Sequence, residues 1–345
     1  SMKLQNQKNK KKFFKKLFIK ICRIFGYEII DQSNFFIPTQ EKSLNENLNV
    51  QGTKSITLPL GEVKITRKIS ALTVIFRSCT NVNMLTQNKK RLFDQKKPEY
   101  TFRSLNSIIL SLKRAMNDFP NIKFDIVIVD HNSNKEDLIV IKNQLKKSKI
   151  NNSLITLNVN EFVNNIKKLN EKGEKVTENQ LSNMANIHQS LLIAKEQCDD
   201  LIYFVEDDYI HNQNAISEMI LTYERVSSQL SSELVICPTD YPYLYTKAEE
   251  TKIFLGANRH WRKVEETLCT FLTSKILIEE YWNKLISMCQ IEHYPFEKPL
   301  HDIYKSVYCL SPIPSLAIHC TNINSIFGLS PNIDWEKIWE ENKNY

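Results

Sequence analysis

The sequence predicts an α/β fold in which a mostly parallel central sheet is flanked by helices. Three observations carry this. From about Lys68 onward, short apolar runs of strand length alternate with longer segments of helical periodicity, the pattern of strands joined by crossover helices. Two of the apolar runs end abruptly in acids. These are Phe124 to Asp130, and Leu201-Ile202-Tyr203-Phe204-Val205-Glu206-Asp207-Asp208. Burying unpaired carboxylates is very costly, so such strands must end at the mouth of the sheet, where their acids meet cations or water. Finally, the 345 residues include only 6 glycines, and neither GxGxxG nor GxxxxGK[ST] occurs. Dinucleotide-binding and P-loop folds lose their signature on that count.

In chain order, Ser70 to Arg77 reads as the first strand of the sheet and Tyr100 to Phe119 as the helix after it. Phe124 to Asp130 is the second strand, closing on Asp130-His131-Asn132-Ser133. A helix around 135–148 and a strand from Ser153 to Val159 follow. Asn179 to Cys198 is a long helix that feeds the Leu201 to Val205 strand. A helix near 214–230 and a strand at 233–237 lead into a less regular C-terminal third, and no internal repeat is evident. Upstream, residues 31–68 lack apolar periodicity and are interrupted by Pro38, Gly52, Pro59 and Gly61, so they read as a connector. The expected organisation is an N-terminal extension (1–30), the connector (31–68) and one α/β domain (69–345).

Charge separates the extension from the rest. Nine of the 46 Lys/Arg lie in residues 1–23, which hold no acid, and the remainder carries 37 basic against 39 acidic residues. The body is therefore not a nucleic-acid binder. Within residues 10–25, Phe14, Leu17, Phe18, Ile21, Ile24 and Phe25 recur at helical spacing, with lysines largely elsewhere on the wheel. The segment is too short and charged to span a bilayer. It reads as a basic amphipathic helix lying on an anionic membrane surface; docking on the protein's own body and a nucleic-acid-binding arm are the alternatives. Eight cysteines form no CxxC pair and no zinc-like spacing, as expected of reduced core cysteines in a cytoplasmic protein.

The acidic strand end gives the chemistry. Hard carboxylate oxygens suit Mg²⁺ or Mn²⁺, and those ions in turn suit a diphosphate. Side chains alternate along a strand, so Glu206 and Asp208 are expected to point together and Asp207 the other way.

Three separated features now resemble the GT-A glycosyltransferases, most of all the large bacterial family 2 class, over roughly residues 70–320. A first strand runs into the loop Arg77-Ser78-Cys79-Thr80. A second strand ends in Asp130-His131-Asn132-Ser133, similar to the family's Asp-x-x-Ser. A later strand ends in Glu206-Asp207-Asp208, a DxD-type motif with Glu in its first place. The resemblance implies a GT-A fold and a metal-dependent transfer from a nucleotide sugar, taken as UDP-linked, to a glycan or lipid-linked acceptor in surface polysaccharide synthesis. It implies that Arg77, Ser78 and Asp130 hold the nucleotide, although Asp130 also suits a turn or helix cap. Glu206 and Asp207 are assigned to the donor and Asp208 to the metal. A base for an inverting displacement is expected at a helix start well after the DxD motif. There Asp302 is the first candidate and Glu297 the second, with a first-turn acid on the helix dipole as the alternative for Asp302. A C-terminal histidine often completes the metal site, which points to His319 or to a buried structural histidine.

Two further segments are candidates. Arg259, Trp261 and Arg262 could pair with diphosphate and stack on a ring, or form a turn around one buried Trp. Thr239 to Tyr245, aromatic and proline-rich, is a candidate acceptor wall. No QxxRW motif is present, which argues against a processive polymer synthase. The expected location is the cytoplasm, with peripheral attachment to the inner membrane face. Two other classes stay open: a nucleotidyltransferase, which would want a Gly-rich loop after the first strand, and a non-catalytic membrane-associated nucleotide-binding protein.

Overall fold

The computed structural model describes residues 13–15, 17–27, 29, 54–57, 61–82 and 90–345. The chain forms two units, residues 1–46 with 56–62 and residues 47–55 with 63–345. In the first, helix α1 covers residues 13–15 and 17–24, and its Phe13, Phe14, Phe18 and Ile24 are exposed. Lys10, Lys11, Lys12 and Lys16 of the basic segment lie outside the described residues, as do residues 30–53 of the expected connector. Two short strands, β1 (Lys54–Thr57) and β2 (Gly61–Lys64), fall inside that connector. No described helix is long and apolar enough to cross a membrane.

The second unit carries the sheet. Its first half runs β3 (Ala71–Ser78), α2 (Lys97–Asp118), β4 (Lys123–Asp130), α3 (Lys135–Ser148), β5 (Asn151–Thr156), α4 (Asn160–Val163), α5 (Glu178–Gln197) and β6 (Leu201–Glu206). The second half runs β7 (Tyr209–His211), α6 (Ala215–Leu230), β8 (Val235–Ile236), α7 (Tyr243–Thr246), β9 (Ile253–Leu255), β10 (His260–Val264), β11 (Phe271–Ser274), α8 (Lys275–Glu280), α9 (Trp282–Gln290), α10 (Lys298–Tyr304), β12 (Cys309–Ile313), β13 (Ala317–His319) and α11 (Trp335–Glu341). Nine strands form one sheet in the order β5-β4-β3-β6-β11-β8-β12-β10-β9, and only β11 and β10 run against the other seven. The small β7–β13 pair stands beside it.

The central strands are long because their apolar runs are unbroken. All eight residues of β3 are buried, as are the first five of β6. Covered on both faces, such strands gain more from continuous Val, Ile, Leu and Phe than from alternation. Helix α2 packs on α3 and α6, while α5 packs on α8 and α9. The expected strand at 233–237 shortens to Val235–Ile236, and Glu233 before it pairs with Arg67 (2.9 Å). Arg67 also pairs with Asp200 (2.5 Å), whose carboxylate accepts the Ser70 N–H (2.8 Å). That network ties the entry of β3 to the entry of β6.

Strand order places the site. From β3 the chain moves outward to β4 and β5, then returns through α5 to lay β6 on the other side of β3. The carboxyl ends of β3 and β6 therefore flank a topological switch point, where open α/β sheets leave a crevice. The register sets Arg77 opposite Glu206 and Ser78 opposite Asp130.

Candidate functional site

A cavity of about 580 Å³ opens at that switch point. Arg77, Ser78 and Cys79 line it from β3 and its loop, His131 and Asn132 from the turn after β4, and Glu206, Asp207 and Asp208 from the end of β6. Its remaining wall is the first half of α5, with Asn179, Ser182, Asn183 and Asn186. Those positions recur at helical spacing and form a polar stripe beside the buried Met184, Ala185 and Ile187. Thr177 starts the helix by accepting the Gln180 N–H (3.2 Å), a cap that stabilises it by about 1 kcal/mol.

Each acid at the end of β6 has its own partners. Glu206 meets Arg77 Nη2 (3.3 Å) and accepts from Thr270 Oγ1 (3.1 Å). Arg77 is buried and also donates Nη1 to Asn183 Oδ1 (3.0 Å), which ties the strand end to the α5 stripe. Asp207 lines the cavity with both carboxylate oxygens already engaged. Lys97 Nζ lies 2.6 Å from its Oδ1, while Oδ2 accepts from Thr101 (2.8 Å) and from the Cys79 N–H (3.0 Å). It thus pins the loop after β3 to the start of α2. Because β6 ends at Glu206 and 207–208 form a turn, the split between Asp207 and Asp208 comes from the turn rather than from strand alternation.

Asp208 meets the end of β13, in the small β7–β13 pair. Its Oδ2 is 3.3 Å from His319 Nε2, and its carbonyl accepts the Cys320 N–H (2.9 Å). Burial alone would raise its carboxyl, but the charge and hydrogen bond of His319, with Lys97 and Thr321 behind, hold it below the ordinary carboxylate range. Burial would lower the His319 ring in the same way; Asp208 outweighs it and raises the ring. His319 Nδ1 sits 2.9 Å from the Phe327 carbonyl, which can only accept, so Nδ1 carries a hydrogen. In the neutral ring, the Nε2 lone pair then faces Asp208. Tyr209 stacks on the ring at 4.6 Å and fixes its plane. Two ligands at right angles on an octahedral ion, each about 2.1 Å away, stand roughly 3 Å apart. The Asp208–His319 spacing fits that arrangement. Among the described residues no group of three or more His, Cys, Asp or Glu could hold a metal, so a cation here would need oxygens from a ligand to complete its shell.

Asp130 is buried behind the cavity wall. Its Oδ1 accepts from Ser78 Oγ (2.6 Å) and Ser133 Oγ (2.5 Å), an arrangement that shapes the turn presenting His131 and Asn132. Asn132 adopts φ 58°, which an Asn tolerates better than most residues. Burial lowers the His131 ring, and the Asp130 charge partly restores it.

The two base candidates part company. Glu297 sits at the N-cap of α10 with Cys269 Sγ 3.9 Å from its Oε1. Burial first, and then the Glu206 charge, pushes its carboxyl up to about 7 against the pull of Arg77. Neither Glu297 nor Asp302 is among the residues lining the cavity. The Asp302 carboxylate is held below the usual range by its hydrogen bond with Lys305 (2.7 Å), with Lys284 3.6 Å away. Two lysines engage this carboxylate and lower its proton affinity, so of the two candidates Asp302 is the weaker proton acceptor.

Three expected donor contacts lie outside the cavity lining. Trp261 lies in β10, paired with both β12 and β9, and is fully buried, so it presents no face to a ligand. Its indole fills the space over Gly256, where a Cβ would come within 2.3 Å of Nε1. Arg262 is buried in an ion pair with Asp240 (2.5 Å) beneath the ring of Tyr245 (4.7 Å). Arg259 donates to the Pro314 carbonyl (3.0 Å), and neither arginine lines the cavity. Of the 239–245 segment, Tyr241 and Tyr243 are core residues, and Tyr245 is exposed.

The sequence reading missed Lys97 and the α5 stripe. The stripe had a signal: twelve residues from Asn179 to Ser190 carry no Lys, Arg, Asp or Glu, although this helix begins and ends with charge. Lys97 had none, since its partner Asp207 is 110 positions away.

No protein-family model matches the chain, and no curated protein matches it. Among solved structures it is similar to S. aureus TarS at 13% identity and TM-score 0.34, over 61% of this chain and 29% of that one. It is similar to the galactosyltransferase LgtC in complex with donor and acceptor sugar analogues at 10% identity and TM-score 0.34, over 79% and 95%. The inositol-1-phosphate CTP transferase from T. maritima gives 9% identity and TM-score 0.38, over 81% and 98%. The chain spans 29% of TarS and 48% of TarS 1-349, under two thirds of either. Superpositions this loose carry no functional inference.

Proposed function

We propose that this chain is a metal-dependent glycosyltransferase of the GT-A type that takes a sugar from a nucleotide-sugar donor. One observation carries the reading. Asp208 and His319, 3.3 Å apart, adjoin a polar cavity of about 580 Å³ at the switch point of the sheet. Among the described residues lining the cavity, Arg77 is the only Lys or Arg, against three acids, so an anionic diphosphate needs a cation to enter. Asp208 and His319 would hold Mn²⁺ or Mg²⁺, and an imidazole ligand favours Mn²⁺. Bound there with diphosphate oxygens completing its shell, the ion would supply Lewis-acid stabilisation of the departing nucleoside diphosphate.

The protein's own groups supply the rest. Ser78, His131, Asn132 and the α5 amides face the nucleotide, UDP in this reading. Asp130 and Asp207 position the two loops that cradle it. Glu206, oriented by Arg77 and Thr270, faces the donor sugar. Glu297 takes the proton of the acceptor hydroxyl, because a carboxyl titrating near neutrality is suited to general-base work, and direct displacement inverts the anomeric centre. The acceptor is a glycan or lipid-linked sugar of a surface polysaccharide. The exposed phenylalanines of α1, set among lysines, support a peripheral seat for residues 10–25 on an anionic membrane face.

Calorimetry with UDP and Mn²⁺ tests the centre of this proposal. The parent protein is expected to bind only when both are present, and Asp208→Ala or His319→Ala to weaken binding at least tenfold. Metal-independent binding, or binding unchanged by either substitution, would remove the cation from the site.

A further inference from the structure

Residues 167–176 form a hairpin between α4 and α5 that is closed on itself and then laid against the turn carrying Glu297. Leu169 bridges Lys175, and Val176 N–H donates to the Lys168 carbonyl (2.9 Å). Asn170 Oδ1 accepts from both Lys172 and Glu174 N–H (2.9 Å each), and Gly173 takes φ 79°, a left-handed value at which most side chains are strained. The hairpin then leads directly into Thr177, the cap of α5. Thr177, Asn179, Gln180 and Ser182 line the cavity.

Its other edge is stitched to residues 290–298. Lys167 N–H donates to the Gln290 carbonyl (2.8 Å), Glu171 N–H to the Glu292 carbonyl (3.0 Å), and Asn170 Nδ2 to Glu292 Oε1 (3.0 Å). Glu171 is the hub. Its Oε2 accepts the Tyr294 N–H (3.0 Å) and faces His293 Nδ1 (3.5 Å), while its Oε1 pairs with Lys298 Nζ. Lys298 is the residue directly after Glu297 and the first of α10. One carboxylate thus clamps both sides of the turn from which Glu297 projects.

We propose that Glu171 is a positioning residue that couples the nucleotide-facing start of α5 to the placement of Glu297. This rests on the reading of Glu297 as the base. Seating a donor against α5 then steadies the base through the hairpin, without any contact between Glu171 and the ligand. The hairpin lies outside the cavity lining, so loss of Glu171 should leave the donor's own contacts in place.

Two measurements on the full chain test the proposal. In hydrogen–deuterium exchange, Glu171→Ala is expected to speed exchange at 292–299 and also at 177–183, and UDP with Mn²⁺ is expected to slow both segments in the parent. In transfer or donor-hydrolysis kinetics, Glu171→Ala should lower kcat about tenfold with KM for the donor within about twofold, and Glu171→Asp should recover part of the loss. Faster exchange confined to 168–175, or kcat unchanged, overturns the coupling. Glu297→Gln separates the two ideas. Full activity in that variant refutes the base assignment, while the exchange pattern still decides whether Glu171 links the two segments.

Discussion

Replacing Glu297 with Gln gives the sharpest test, because the site predicts opposite effects on stability and on rate. In the folded chain the carboxyl is raised from 4.5 to about 7 by burial and by Glu206 on β6, with Arg77 on β3 opposing and the Cys269 thiol alongside. Below the unfolded value the group is neutral in both states and costs nothing. As pH rises through 4.5 the unfolded chain releases its proton while the folded chain keeps it. Stability is lost progressively until the folded group also ionises near 7. A displacement of that size corresponds to about 3 kcal/mol, as an upper figure. Gln cannot titrate, so the difference in urea-unfolding free energy between Glu297→Gln and the parent should grow in favour of the variant from about pH 5 to pH 8, by up to about 3 kcal/mol. Transfer activity should fall roughly 10²- to 10⁴-fold in the same variant. A stability difference that stays flat between about pH 5 and 8 would refute the raised carboxyl. An unchanged rate would refute its role.

Other outcomes follow from the same contacts. Arg262→Leu leaves Asp240 buried with Tyr245 as its remaining side-chain partner and should cost about 3–5 kcal/mol in urea unfolding. Adding Asp240→Asn should recover part of that, whereas no loss would mean the pair is solvated. Gly256→Ala drives a methyl into the Trp261 indole and the Arg259 carbonyl, so about 1–3 kcal/mol of destabilisation is expected, read as a lowered thermal midpoint. Deleting residues 2–25 should abolish sedimentation with anionic liposomes while leaving calorimetric binding of UDP and Mn²⁺ intact; unchanged pelleting would remove the membrane role.

What was legible in the sequence was local. The runs of β3, β4 and β6 are continuous and apolar, and each announces its buried strand from within a few residues. A carboxylate that ends such a run has nowhere to go but the strand's mouth, so Asp130, Glu206, Asp207 and Asp208 could be placed at one edge of the sheet. Periodicity likewise gave the main strands and helices up to residue 237, but not α4, β7 or the elements of the C-terminal third from α7 to α11.

What was not legible depended on partners far away in the chain. Arg77 meets Glu206 because a parallel register sets them side by side, 129 positions apart. Trp261 and Arg262 resembled ligand-binding residues until β12 paired with β10 and sealed them inside. Glu297 and Asp302 differ by five positions at one helix start, which turns them roughly 140° apart. One was left facing Glu206 and Arg77, the other facing two lysines. Short-range hydrophobic patterning is written in consecutive residues, so the strands, their acidic ends and the basic α1 could be read directly. Burial, charge pairing and the choice between two carboxylates are set by long-range packing, which no window of sequence contains.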